Sequence, residues 1–122
     1  MNIGEILGKF EFFRDALVDL RREIEQGAKH IRLEPGSYVF RSGDGCGGVA
    51  LVGRGNVRVF KRGHSGREIT LYHVAAGETC LLTLNGALTG ALYEAEGLVE
   101  EEVEAALISV PVFVSRLRIS AR

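Results

Sequence analysis

The apolar residues of this chain change period near Lys29, and that change limits the folds open to it. Between Ile6 and Ile24 they recur at Ile6, Phe10, Phe13, Leu17, Leu20 and Ile24. This four-three alternation places all six on one face of a helix or of a helix pair. Arg14, Asp15, Arg21, Arg22 and Glu25 occupy the opposite face, and Gly27 suits a stop. From Lys29 the period becomes two, with Ile31 and Leu33, Tyr38 and Phe40, Val57 and Val59, and Ile69 and Leu71, the mark of short strands buried on one face. The separators are rich in glycine: Glu34-Pro35-Gly36, Gly43 to Gly48, Gly53-Arg54-Gly55, Lys61 to Gly66 and Ala75-Ala76-Gly77. They recur at roughly the 8 to 12 residue spacing of β-sandwiches and barrels. With 16 glycines against 2 prolines, the composition fits many tight turns. The pattern predicts a mainly β chain with flanking helices, built as an antiparallel β-roll or jelly roll.

Further strands are expected at Leu92 to Glu96 and at Glu102 to Ser109, where Val103, Ala105 and Leu107 alternate with Glu102, Glu104 and Ala106. Pro111 suits the first turn of a closing helix. A length of 122 residues fits one domain, with a helical part over 4–27, the roll over 29–109 and the start of a C-terminal helix over 111–122. No basic-then-apolar leader opens the chain, and no apolar run approaches the ~20 residues of a membrane span. A cytoplasmic domain without membrane contact is expected, with Cys46 and Cys80 as reduced thiols. The net charge of -1 conceals a polarised sequence: Met1 to Arg67 carries 12 basic and 8 acidic residues, whereas Glu68 to Ser115 holds 8 glutamates and no Lys or Arg. Without a basic block, direct nucleic-acid binding by this chain alone is not expected.

The order of a helical segment, Leu33-Glu34-Pro35-Gly36-Ser37-Tyr38-Val39-Phe40-Arg41-Ser42-Gly43-Asp44, Val52-Gly53-Arg54-Gly55-Asn56-Val57-Arg58-Val59, Gly66-Arg67-Glu68-Ile69-Thr70-Leu71 and Gly77-Glu78 resembles the cyclic-nucleotide-binding (effector) domain of Crp/Fnr-type bacterial transcription regulators. The likeness extends over nearly the whole chain. It implies a sensor that binds a small-molecule effector inside the roll, catalyses no reaction and forms a homodimer through its terminal helices. The family's DNA-reading module has no counterpart among these residues. In the family, Gly-Glu opens a phosphate-binding cassette, where the Glu accepts hydrogen bonds from a ribose hydroxyl and a later Arg pairs with the phosphate.

Gly77 and Glu78 fit that opening, but Tyr93 and Glu94 stand where the Arg and its small neighbour are expected, and the loop from Thr83 to Gly90 is longer than usual. A phosphate beside Glu78 and Glu94 without a cation would cost about 4 kcal/mol per close pair at intermediate dielectric, which argues against ordinary cyclic AMP binding. Only an inward-pointing Arg58 or Arg67 would restore it. Gly77, Glu78, Thr79, Cys80, Leu81 and Tyr93 are the expected pocket wall. Thr79 to Leu82 suit an apolar corner of the core equally well, and a backbone hydrogen bond would satisfy Glu78. His30, His64, His73, Cys46 and Cys80 lack metal-ligand spacing, so no metal is expected. A cupin-like metalloenzyme is the weaker alternative, lacking a His-x-His pair. A ligand-free dimerisation module is the other alternative. Glu100-Glu101-Glu102 is expected at a solvated turn and strand edge.

Overall fold

The computed structural model of the protein describes residues 1–114. Its helical segment consists of three short helices, α1 (Ile3–Leu7), α2 (Glu11–Arg14) and α3 (Val18–Gly27). A reciprocal cap starts α1: the Glu5 N–H donates to Asn2 Oδ1 at 2.8 Å, and the Asn2 N–H donates to Glu5 Oε1 at 3.1 Å. The single apolar face expected from the sequence is interrupted, because Phe10 and Leu17 are extended residues ahead of α2 and α3. Phe10 still joins Ile6, Phe13 and Ile24 in the core, but Leu17 is 82% exposed. An extended residue leaves the helical period, so spacing no longer fixes its side.

One five-stranded antiparallel sheet follows, made of β1 (Ala28–Leu33), β2 (Tyr38–Phe40), β3 (Val49–Arg62), β4 (Glu68–Ala75) and β5 (Glu96–Ile108). The order is β1-β5-β3-β4, with β2 also paired to β5. The sheet is not closed, so β4 remains an edge strand. Leu92 to Ala95 form no strand, and the two late strands are the single β5, which pairs with β3 from Glu96 opposite Phe60 to Ile108 opposite Val49. Glu100-Glu101-Glu102 therefore lie within this central strand rather than at a turn. Gly53-Arg54-Gly55 is no separator either, since β3 runs straight through it with register shifts at Val52, Arg54 and Asn56. Gly55 has φ 101°, and a Cβ at this position would collide with the Glu102 carbonyl, so the bulge requires glycine.

The bulge changes the parity of β3. Ala50 and Val52 face the interior of the roll before it, and Val57 and Val59 do so after it. Val49 and Leu51 turn the other way and pack with Ile6, Phe13, Ile24, Ala106 and Ile108 beneath the helices. The sheet thus separates two apolar clusters, one under the N-terminal helices and one inside the roll. Thr83 to Gly90, expected as a loop, is mostly helix: α4 (Leu81–Thr89) ends on Gly90 in the left-handed conformation and buries Thr83, Gly86 and Ala87. After β5, α5 (Val110–Val112) starts with Pro111 in its first turn, and the remainder of the expected C-terminal helix, residues 115–122, lies outside the described residues. Among the described residues no helix is long and apolar enough to cross a membrane.

Candidate functional site

The inner face of the sheet and the start of α4 line a partly open cavity of about 20 Å³. Ile31 and Leu33 of β1, Val39 and Phe40 of β2, and Ala50, Val52 and Val57 of β3 line it. Val74, Val103 and Ala105 complete the apolar wall, and Cys80 and Thr83 are its polar members. Both polar members have partners within the protein. Cys80 Sγ lies 3.1 Å from the Tyr72 hydroxyl, and Tyr93 donates its O–H to Thr83 Oγ1 at 3.3 Å. Burial, reinforced by Cys80, pushes the Tyr72 phenol far up, and burial pushes that of Tyr93 up to about 12. Both phenols therefore stay neutral and remain hydrogen-bond donors.

The sequence-predicted residues fall in different places. Gly77, at φ 83°, directs its N–H to the Val52 carbonyl at 2.8 Å. Glu78 is exposed, and its carboxylate accepts the Ala75 N–H at 2.8 Å while its own N–H donates to the Ala75 carbonyl. Thr79 donates its hydroxyl to the Ala50 carbonyl at 2.8 Å. These three residues tie the β4–α4 turn to β3 and so place Cys80, which is buried against the cavity. Leu81, in the first turn of α4, is 69% exposed. Tyr93 is buried behind the wall, its ring stacked on Phe40 with centroids 4.2 Å apart and planes at 15°.

Neither arginine that could have supplied an inward charge does so. Arg58 is on the outer face, bonded to Glu68 at 2.8 Å and Glu100 at 3.2 Å, with its guanidinium 4.3 Å from the Phe60 ring centroid. Arg67 is exposed on the β3–β4 turn. Arg62 joins Glu68 and Glu96 on the same outer face as Arg58. Farther along β5, Glu104 is 2% exposed and meets the Met1 ammonium at 3.4 Å, His30 and Arg54 at 3.3 Å, and Arg32 at 3.7 Å. Burial pushes the Glu104 carboxyl up, but the ammonium, His30 and Arg32 outweigh it and hold the group below the ordinary value of 4.5. The charges segregated along the sequence are thereby paired across strands.

Sequence patterns do not single out Tyr72, Phe40, Thr83 or Cys46 as site residues. Tyr72 and Val74 share a strand at period two, which was the available signal for Tyr72. Cys46 is reached only through the fold, where its thiol donates to the Thr83 and Gly48 carbonyls at 3.6 and 3.5 Å.

Residues 30–118 match the family model of the cyclic nucleotide-binding domain. The chain belongs to the cyclic nucleotide-binding domain family. Among solved structures this domain is similar to the regulatory subunit of a cAMP-independent protein kinase A from Trypanosoma brucei, with a TM-score of 0.81 and 18% identity over 93% of this chain and 41% of that one. It is also similar to a transcriptional regulator assigned to the Crp/Fnr family from Eubacterium rectale ATCC 33656, with a TM-score of 0.78 and 21% identity over 91% and 51% of the two chains. The Thermus thermophilus catabolite activator protein aligns with a TM-score of 0.75 and 20% identity over 89% and 50%. The chain spans about half the length of these structures or less, and at such identities the likeness is one of fold. Among curated protein sequences there is no match.

The interior of this cyclic nucleotide-binding domain does not fit the group for which the family is named. Small-molecule pockets measure roughly 300–1,000 Å³, far above the 20 Å³ here. An anion also needs free N–H groups or a guanidinium, whereas the Gly77 and Glu78 amides are taken up by carbonyls and the neighbouring Arg58 is paired on the far face.

Proposed function

We propose that this cyclic nucleotide-binding domain is the effector-sensing part of a Crp/Fnr-type transcription regulator, a single non-catalytic, cytoplasmic domain over residues 1–122 that senses a small molecule in the roll. The placement of β3 and β5 between the two apolar clusters carries this reading. Ala50, Val52 and Ala105 face the roll, while their neighbours Val49, Leu51 and Ala106 pack beneath the helices. Interiors are close-packed and transmit strain, so a molecule that shifts these strands also shifts the helices. In this reading Cys80 is the wall that meets the effector, and Tyr93 braces it through Phe40 and Thr83. Gly77, Glu78 and Thr79 hold the turn that positions Cys80, and Leu81 forms the outer rim. The helices at the two ends mediate homodimerisation.

Melting temperature measured across a panel of small molecules tests the proposal. An effector at 100 times its Kd stabilises by about 2.7 kcal/mol, which raises Tm by on the order of 10 °C. A second reading, a ligand-free dimerisation module, is favoured by the exposure of Phe12, Leu17 and Val18 on the helical segment. Self-association in sedimentation without a Tm gain from any small molecule would select this second reading over the sensor.

A further inference from the structure

We infer that the interior of the roll takes an uncharged apolar molecule of roughly diatomic size in place of a nucleotide. The inference rests on the reading of the roll as the effector site and gives that site its ligand class. Val52, Val57, Val74 and Val103 bring methyl groups to the wall from three strands. The two polar members turn their hydrogen bonds into the protein, Cys80 with Tyr72 and Thr83 with Tyr93. A buried water needs two to four polar partners, and apolar cavities stay dry. At about 20 Å³ the cavity exceeds the roughly 10–15 Å³ that one water-sized particle needs, yet nothing in its wall rewards a polar guest. An apolar space lined in this way has lost dispersion contacts that a small apolar guest restores. A charged guest meets no counter-charge, because the arginines of β3 beyond the bulge are bound to Glu68, Glu96 and Glu100 on the opposite face.

Dissolved dioxygen is a suitable probe, since its paramagnetism accelerates methyl relaxation wherever it resides. In the full chain with labelled methyl groups, dioxygen under pressure enhances relaxation of the Val52, Val57, Val74 and Val103 methyls several-fold more than that of the equally buried Val49 and Ile108 beneath the helices. Ala50→Val, which fills the cavity, lowers the enhancement to the level of Val49, and Val74→Ile serves if that variant does not fold. Cyclic AMP at millimolar concentration leaves the same methyl shifts unchanged. Equal enhancement in the two clusters overturns the inference. If cyclic AMP moves the valine methyls, the inference fails while the effector reading stands. If neither probe acts on the roll and no small molecule raises Tm, both fail.

Discussion

At Gly55 the absence of a side chain decides whether the longest strand can bend. Its positive φ costs any L-residue about 1–2 kcal/mol, and the Glu102 carbonyl occupies the place of a Cβ. Gly55→Ala is expected to remove about 2–4 kcal/mol of stability, read as a lower urea midpoint at unchanged slope. A midpoint equal to that of the parent would show that β3 does not need its bulge. Tyr93 divides its contribution between ring and hydroxyl. Tyr93→Phe keeps the stack on Phe40 and loses the bond to Thr83, for about 1 kcal/mol, whereas Tyr93→Ala empties a core position for about 3–5 kcal/mol. A Tyr93→Phe loss as large as that of Tyr93→Ala in the same titration would mean that the hydroxyl, not the ring, organises the wall. Neither role is legible in the sequence. Gly55 reads there as a turn glycine because its partner Glu102 is far along the chain, and Tyr93 is visible only as the residue standing where an Arg is expected.

Among the elements, β5 pairs with three other strands, β1, β2 and β3, and its acidic residues give it a pH dependence. Glu104 is lowered by the balance of charge over burial, and Glu68 of β4 is lowered chiefly by its hydrogen bond from Arg58. A carboxylate whose pKa falls on folding contributes stability that is fully present above its unfolded value, near 4.5, and is lost as pH falls through the lower folded value. The urea midpoint should therefore hold steady from neutral pH to about 5 and drop below it. Glu104→Gln should be less stable at neutral pH and flatter in acid, and an unaltered acid slope in that variant would remove Glu104 from the account. The sequence revealed the strands of the roll wherever one face was apolar at period two, as at Val57 and Val59. It misplaced β5 because Gly97 and the run of glutamates look like a break. Glycine there admits the Phe40 ring, which would crowd a Cβ at 2.8 Å, and the glutamates are matched by Arg32 and Arg58 from adjacent strands. The start of α4 was obscured in the same way, since Leu81 to Leu84 give no one-sided pattern.

For the molecule as a whole, segregated charge and the exposed apolar residues of the helical segment pull in different directions. Pairing of the basic first half with the acidic second half specifies the sheet and leaves little net field to steer a partner, so the proposed homodimer would rest on apolar contacts. Among the described residues Leu17 is the most exposed of the large apolar side chains, and it occupies the N-cap of α3 without making a side-chain cap. Leu17→Asp changes both properties at once. A carboxylate at that position accepts backbone N–H groups of the first turn and is expected to stabilise the monomer by about 1 kcal/mol. The same change removes an apolar anchor and places a charge within any interface built there. The expected result is a higher melting temperature at high dilution together with weaker self-association in sedimentation at high concentration. A purely structural Leu17 would give the first without the second. Weaker association without a gain in Tm would mean that α3 is already held by its packing through Ile24, and that its missing cap costs the fold nothing.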